Sequence, residues 1–329
     1  MDNLTHGLLG LAIGAVRRPE GDARAGRRLS ATDRAVLVAS TLAAELPDLD
    51  GLWPMPNAIL GAVEVHRGIS HSLLFTPIWA LAATGVARLL FRGARAGPPF
   101  VFAWFAVLFA HLATDAWTGW GTRLLLPFSD LRLSWDWTMV LDPLFTAPLL
   151  LAAIAALIWR ARWRPVVLAG LLISTTYLGA RVAAKQHLDS TVARQHPDAE
   201  HIAVFPDWFG LTEWRYVATY PERYIAGTVA LGEAPRVRAT HARGSALPDR
   251  MMQVPTVREA VSWARFPIVT QTRRASGGDE IRVSDLRYHL KGEPTLSMEI
   301  ELDDALEVKR ADMVRPTDPR KLLDRWRDD

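Results

Sequence analysis

Six apolar stretches, separated by short polar segments, dominate the first half of the chain. They cover residues 7–16, 35–47, 70–91, 100–114, 139–159 and 166–184. A helix needs about 20 residues to cross the roughly 30 Å hydrocarbon core of a bilayer, so the third and fifth stretches are long enough to span alone. The shorter ones suit buried helices or a re-entrant hairpin. The pattern predicts an all-α polytopic membrane domain with four to six hydrophobic helices.

Beyond residue 186 the pattern changes to short runs in which apolar and polar residues alternate. Runs rich in β-branched and aromatic residues predict strands at Trp214–Thr219, Tyr224–Leu231, Ile281–Tyr288 and Leu296–Leu302. Helices are predicted at Val257–Phe266 and Asp318–Trp326. We therefore predict a membrane-embedded domain over residues 1–186 and a small soluble domain, α+β or mostly β, over residues 187–329.

Composition supports this division and narrows the function classes. Residues 1–186 carry 17 Lys+Arg and 12 Asp+Glu, whereas residues 187–329 carry 21 and 23, as a water-soluble domain would. The net charge of +3 comes without a Lys-rich arm or a recognisable nucleic-acid module, so no nucleic-acid partner is expected. The chain has no cysteine, which excludes disulfides and Cys-ligated zinc.

The arginines predict which side of the membrane each loop faces. They concentrate in the 17–34 loop, the 88–99 connection and the turn after residue 159, while the 48–69 and 115–138 loops carry few. Short loops rich in Lys and Arg stay in the cytoplasm. If all six stretches cross, the N-terminus, the two arginine-poor loops and everything after residue 185 lie on the non-cytoplasmic side.

Metal-ligand residue types interrupt this apolar pattern at four places, all on the predicted non-cytoplasmic side. Imidazole and carboxylate are costly near hydrocarbon unless paired, and a divalent cation is a strong partner. His111 and Asp115 are four apart, so on a helix they project from one face. The candidate ligands are His6, Asp48, Asp50, His66, His71, His111 and Asp115.

Each candidate also has an ordinary structural interpretation. Asp48 and Asp50 follow Pro47, where a helix would end and an aspartate would cap the next turn. Asp142, just before Pro143, suits a metal ligand, a partner that orients an imidazole, or a helix cap. The candidates exceed the four ligands usual for one zinc, so we predict one or two divalent ions: Zn²⁺, with Mn²⁺ or Mg²⁺ as alternatives.

These motifs resemble the LexA-regulated, membrane-bound metal-dependent hydrolase family of bacterial inner-membrane proteins. The matching pieces, over about residues 1–185, are Thr5-His6, Leu46-Pro47-Asp48-Leu49-Asp50, His66-Arg67-Gly68, Ser70-His71-Ser72, His111-x-x-x-Asp115, Gly121, Pro127-Phe128-Ser129 and Asp142-Pro143. The resemblance implies an inner-membrane hydrolase whose histidines and aspartates bind a divalent metal, and it fixes no substrate.

The candidate ligands stand at the ends of apolar stretches, at the depth of the lipid headgroups. This position suggests a lipid or lipid-linked phosphoester as substrate and membrane lipids as partners. Two ions would bridge a phosphate and activate water. The predicted catalytic residues are Arg67, which would orient the anion, and Asp50 and Asp142 as candidate bases. The alternative is a non-catalytic metal-binding protein, structural, sensing or transporting, whose soluble domain binds a partner.

Overall fold

A computed structural model describes residues 1–19, 29–207, 212–244, 247–290 and 293–315. The α-helices within these ranges are α1 Asn3–Val16, α2 Ala31–Ala43, α3 Ala58–Leu60, α4 Thr76–Leu90, α5 Gly97–Phe105, α6 Ala113–Ala116, α7 Pro143–Ile158, α8 Trp163–Gln195, α9 Asp249–Met252 and α10 Pro255–Trp263. The strands are β1 His201–Pro206, β2 Glu213–Thr219, β3 Arg223–Ala230, β4 Arg236–Ala242, β5 Pro267–Arg273, β6 Asp279–Asp285, β7 His289–Leu290, β8 Glu293–Pro294, β9 Ser297–Leu302 and β10 Val308–Val314.

The chain forms two compact units: residues 1–50 with 67–185, and residues 51–66 with 186–329. The sequence pattern assigned residues 51–66 to the membrane domain. In the structure this segment belongs to the second unit, because α3 packs on α10 and β10. The Asn57 side-chain amide also donates to Thr256 Oγ1 at 3.1 Å. This pairing joins residues far apart in the chain, which a local hydropathy pattern cannot reveal.

Three helices among the described residues are long and apolar enough to cross a membrane: Leu73–Leu90, Gly97–Ala116 and Arg160–Gln195. The predicted helical membrane domain is thus confirmed, with differences in helix length: α8, for example, extends the predicted 166–184 stretch to Trp163–Gln195. The 139–159 stretch gives only the 16-residue α7, because Asp142 caps a helix that begins at Pro143. The 100–114 stretch is longer than expected, because α5 continues through a π-helical segment, Ala106–Leu112, into α6.

Small residues let the helices of the first unit pack closely around α2. This helix contacts α1, α4 and α5. The side chains at these contacts include fully buried alanines such as Ala35, Ala39, Ala83 and Ala103. At Gly10 of α1, an added Cβ would lie 2.6 Å from the Ser40 carbonyl oxygen of α2. Close approach of this kind is typical of membrane helix interfaces, and it brings the polar ends of these helices together.

The second unit is built mainly from antiparallel sheets. One has the order β1-β2-β3-β4 and the other β10-β9-β6-β5. One of its apolar clusters joins the first sheet to residues that flank β5 and β6; it comprises Ala203, Phe205, Val217, Tyr224, Phe266 and Leu286. The four predicted strands correspond to β2, β3, β6 and β9, and the predicted 257–266 helix corresponds to α10. The mostly β prediction is confirmed; the helix predicted at 318–326 lies outside the described residues.

Candidate metal centre

Four of the seven candidate ligands converge in the first unit. They are Asp48, His71, His111 and Asp115, whose ligand atoms all lie within 4.8 Å of one another. Each comes from a different local structure: a 3₁₀ turn after α2, a 3₁₀ turn before α4, the π-helical segment, and α6. Single-turn π-helical segments are frequent at functional sites, and here one carries His111. We call these four residues the Asp-His cluster.

The spacing inside the Asp-His cluster is short. His71 Nε2 lies 2.9 Å from His111 Nε2. Asp48 Oδ1 lies 3.3 Å from the first of these nitrogens and 3.4 Å from the second. Asp115 Oδ2 lies 3.3 Å from His71 Nε2 and 3.8 Å from His111 Nε2. Two ring nitrogens and two carboxylates therefore face one another.

The outer nitrogens of two imidazoles fix where their protons lie. His111 Nδ1 is 2.6 Å from the Ala44 carbonyl oxygen, and His6 Nδ1 is 2.7 Å from the Ala110 carbonyl oxygen. Because a carbonyl oxygen only accepts, Nδ1 must donate in both residues, which leaves Nε2 of the neutral ring as an acceptor. The Nε2 lone pair of His111 therefore points into the Asp-His cluster, as metal ligation requires.

The donor set fits a divalent cation. Among the described residues, buried His6 Nε2 and Asp115 Oδ2 have no hydrogen-bond partner. Ligand bonds of about 2.0–2.2 Å to zinc imply ligand–ligand spacings of about 3.3–3.6 Å in a tetrahedron, close to most of the nitrogen–oxygen spacings observed. Imidazole and carboxylate donors also suit Mn²⁺, so they do not single out one metal. A cation would supply the bonding partner that these inward-facing atoms lack.

His6 borders the Asp-His cluster. Its ring stacks on that of His111 with centroids 4.1 Å apart, and its Nε2 lies 3.4 Å from Asp115 Oδ1. The ring is fully buried. The structure thus brings the His6 side chain beside the cluster, at the second oxygen of Asp115.

Asp50 contacts His71 on the ring nitrogen that faces away from the cluster. Its Oδ2 lies 3.1 Å from His71 Nδ1, accepts from Ser70 Oγ at 2.5 Å and accepts from the Arg67 amide at 3.2 Å. Such a carboxylate–histidine contact sets the orientation and tautomer of a metal-binding imidazole. The observed contact therefore gives Asp50 an orienting role, while its roles as ligand or base stay predictions.

Arg67 contacts Asp115. Its Nη2 lies 2.8 Å from Asp115 Oδ1, and its Nη1 donates to Thr118 Oγ1 at 2.9 Å. The residue is buried and adopts a left-handed backbone conformation with φ of 60°, which is strained for a residue with a side chain. The Met1 amino group also contacts Asp115 Oδ1. The proposed binding of a substrate anion by Arg67 stays a prediction, and its observed partner is the carboxylate of a candidate ligand, Asp115.

Side chains of opposite charge meet at the cluster. Burial alone would lower the pKa of His71, but the carboxylates of Asp115, Asp48 and Asp50 raise it to about 10. Burial alone would raise the pKa of Asp48, but its contact with the protonated His71 ring holds it below its usual range. The Asp48 carboxylate therefore stays ionised at neutral pH, in the form that binds a cation.

Two further side chains near Asp48 were not chosen from the sequence. The Asn3 side-chain amide lies 3.2 Å from both Asp48 Oδ2 and Glu45 Oε2. Burial raises the pKa of Glu45. Glu45 stands in the same polar segment as Asp48, which was a usable signal. Asn3 had none, because an isolated asparagine near a chain start carries no pattern.

The remaining candidates are Asp142 and His66. Asp142 accepts from the backbone amides of Leu144 and Phe145 at 3.2 and 3.3 Å, which confirms the helix-cap interpretation. It also accepts from the Tyr177 hydroxyl at 3.1 Å. His66 ends the 51–66 segment of the second unit, where its amide donates to the Gly61 carbonyl. Its role as a ligand stays a prediction.

Comparison with known proteins gives a family. No curated protein and no solved structure matches the chain. Residues 1–188, more than half of the 329, match the family of YdjM inner membrane proteins. The match covers the first two apolar helices, the third as far as residue 188, and every residue of the Asp-His cluster. The chain therefore belongs to the YdjM inner membrane protein family and is a protein of the inner membrane.

Proposed function

We propose that this protein is a metal-dependent hydrolase that cleaves a phosphoester or lipid-linked substrate at the outer surface of the inner membrane. The observation that carries the proposal is the Asp-His cluster, in which a proton-bearing Nδ1 turns the Nε2 of His111 towards two carboxylates. Asp48 is 13% exposed, whereas the side chains of the other three cluster residues are 0–1% exposed. An enzyme needs one such accessible edge, where water and substrate can reach the metal.

The residues of the site have two roles in this proposal: some would bind the metal, and others position the metal-binding side chains. Asp48, His71, His111 and Asp115 would bind it, with His6 as a further candidate. A bound divalent ion lowers the pKa of a coordinated water and polarises a phosphoryl oxygen. Asp50 keeps the His71 ring oriented, and Arg67 holds the Asp115 carboxylate. As proton acceptor, Asp50 is favoured over Asp142 because Asp50 contacts His71.

Burial favours a second candidate function. His6, His71, His111 and Asp115 are all fully buried. Structural zinc sites are closed in this way, with all positions taken by protein ligands. The alternative is therefore a metal site that is structural, sensing or transporting, with a soluble unit that binds a partner.

Metal content and turnover separate the two candidates. We would purify the full-length protein, measure bound metal by mass spectrometry, and assay phosphomonoesters, phosphodiesters and phospholipids with Zn²⁺, Mn²⁺ or Mg²⁺. The variants are His111→Ala and Asp48→Asn, with His187→Ala as control because that histidine is exposed on α8. We expect stoichiometric metal in the wild type and in the control, and loss of metal in His111→Ala.

Hydrolysis of at least one ester, lost in both cluster variants and kept in the control, would support the hydrolase. Stoichiometric metal without turnover on any ester would favour the non-catalytic alternative. Absence of metal from the wild type, or unchanged metal in His111→Ala, would contradict both candidates.

A further inference from the structure

Residues 124–131 of the first unit form a loop, called the 124–131 loop below, that exposes large apolar side chains on the surface of the protein. Phe128 is 85% exposed, Leu131 55% and Leu125 40%. Scattered single apolar residues are normal on a protein surface, but a cluster of large ones marks an interaction surface. Something other than water must cover this loop.

The exposure is a fixed feature, because the loop is held at its base and within its turn. Thr122 and Leu133 exchange both backbone hydrogen bonds, each 2.9 Å long. Inside the loop the Phe128 amide donates to the Leu125 carbonyl at 2.9 Å. A frayed segment would lack these bonds. The apolar side chains are therefore exposed by a loop with an ordered backbone.

The loop lies level with the end of a membrane-crossing helix. The amide of Leu73, where the apolar span Leu73–Leu90 begins, donates to the Leu124 carbonyl at 2.9 Å. Leu73 and the neighbouring Leu74 are themselves about half exposed, as lipid-facing residues would be. The end of a spanning helix marks the boundary between hydrocarbon and headgroups, so the loop begins at that depth.

We propose that the 124–131 loop inserts Leu125, Phe128 and Leu131 into the headgroup–acyl boundary of the lipid leaflet. The loop also exposes one charged side chain, Asp130, as the headgroup layer allows; its Oδ1 lies 3.7 Å from Nη1 of the buried Arg123 at the base of the loop. Surface segments that bind membranes bury apolar residues to a depth of about 5–10 Å in this way. The proposal rests on the inner-membrane location and does not depend on hydrolase activity.

The loop also connects the lipid surface to the Asp-His cluster. The Arg123 amide donates to the Arg67 carbonyl at 3.2 Å, and Arg67 is ion-paired with Asp115. A lipid bound at the loop would thus lie next to the residues that hold the candidate metal ligand. If the hydrolase proposal holds, this position favours a substrate that stays in the leaflet.

The absence of cysteine makes single-site labelling direct. We would attach an environment-sensitive fluorophore to full-length Phe128→Cys in phospholipid nanodiscs and add lipids with a nitroxide on the headgroup or along the acyl chain. Leu131→Cys repeats the test at a second loop position. Leu81→Cys, 61% exposed on α4, is the control inside a span, and Val237→Cys, 52% exposed on β4, is the control outside the spans.

Insertion by about 5–10 Å brings a probe at position 128 or 131 within reach of shallow nitroxides, so we expect its emission to fall at least about twofold. The Leu81 probe should respond to deep nitroxides and the Val237 probe to neither. A loop probe with the emission of the Val237 probe and no quenching would overturn the proposal. A blue-shifted probe that no lipid quencher affects would also overturn it, since a protein surface would then cover the loop.

Discussion

At the scale of single residues, the site depends on which nitrogen of each imidazole carries a proton. Ala44 and Ala110 settle this for His111 and His6 through backbone carbonyls. For His71 the outer partners are side chains, Ser70 Oγ at 2.9 Å and Asp50 Oδ2 at 3.1 Å. His71 is therefore the imidazole whose orientation a single substitution can change.

Asp50→Asn should weaken metal binding without abolishing it. An asparagine keeps the shape but loses the charge that holds the His71 Nδ1 proton, and loss of such an orienting partner costs about 10–100-fold in metal affinity. His71→Ala should lose the metal altogether. Competition with a chromophoric chelator would measure both, with His187→Ala as control. Wild-type affinity in Asp50→Asn would show that the contact does not orient the ring.

A buried ion pair in the second unit gives a pH dependence. Asp285 accepts from Arg287 Nη2 at 2.7 Å and from the Arg265 amide at 2.6 Å. Burial alone would raise the pKa of Asp285, but these partners lower it. A lowered carboxyl pKa stabilises the fold above the unfolded value of about 3.9, and the stabilisation is lost as pH falls through the lower folded pKa.

Asp285→Asn should therefore destabilise the protein at neutral pH, by about 3–5 kcal/mol, because the Arg287 guanidinium is left buried without its counter-charge. The difference from wild type should shrink as the pH falls below about 3.9, since protonated Asp285 then resembles asparagine. Thermal unfolding of the full-length protein, followed by tryptophan fluorescence at several pH values, would measure this. A difference that is constant with pH would contradict the ion-pair explanation.

At the scale of elements, hydropathy predicted where the helices lie, and local backbone chemistry decided their ends. The 139–159 stretch is apolar except at Asp142, yet its helix begins only at Pro143, because Asp142 caps the N-terminus. The π-helical segment before α6 is invisible to an apolar count, because Ala106–Leu112 reads as ordinary helix. The Asp-His cluster was foreseen as a group from polar residues in apolar surroundings. The contact of Asp50 with His71 and the capping contact of Asp142 could not be predicted, because sequence spacing does not encode them.

Helix packing supports the cluster, and Gly10 is the place to test it. A Cβ at Gly10 would lie 2.6 Å from the Ser40 carbonyl oxygen and 2.8 Å from the Ala44 side chain. Gly10→Ala should push α1 away from α2, moving His6 and Ala44, the acceptor for His111. We expect a lower melting temperature and weaker metal binding.

Gly85→Ala on α4 is the matched control, since a Cβ there meets nothing within 4 Å. Replacing glycine by alanine inside a helix favours folding by about 0.5–1 kcal/mol, so this control should be neutral or slightly stabilising. Equal effects of the two substitutions would mean that close packing of α1 on α2 does not support the site.

At the scale of the whole molecule, the strand patterns predicted a β-rich second unit. They did not predict that residues 51–66 also belong to it. Residues 51–66 lie between two candidate ligand motifs and read as a loop of the membrane domain. Their partners, α10 and β10, come about 200 residues later in the chain. Contacts at such separation follow from folding of the second unit and leave no local periodicity in the sequence.

The orientation of the molecule in the membrane is the remaining whole-chain prediction. Arginines in the 88–99 connection and after residue 159 favour the cytoplasmic side for those loops, because Lys and Arg in short loops resist translocation. Alkaline phosphatase, which is active only outside the cytoplasm, should therefore be active when fused after residue 195, where α8 ends. A fusion after Gly93, between Arg92 and Arg95, should be inactive and serves as the control.

A fluorescent protein at the same two positions should give the opposite pattern. An inactive phosphatase and a bright fluorescent protein after residue 195 would place the second unit in the cytoplasm, and the outer-surface part of the proposed function would then be wrong.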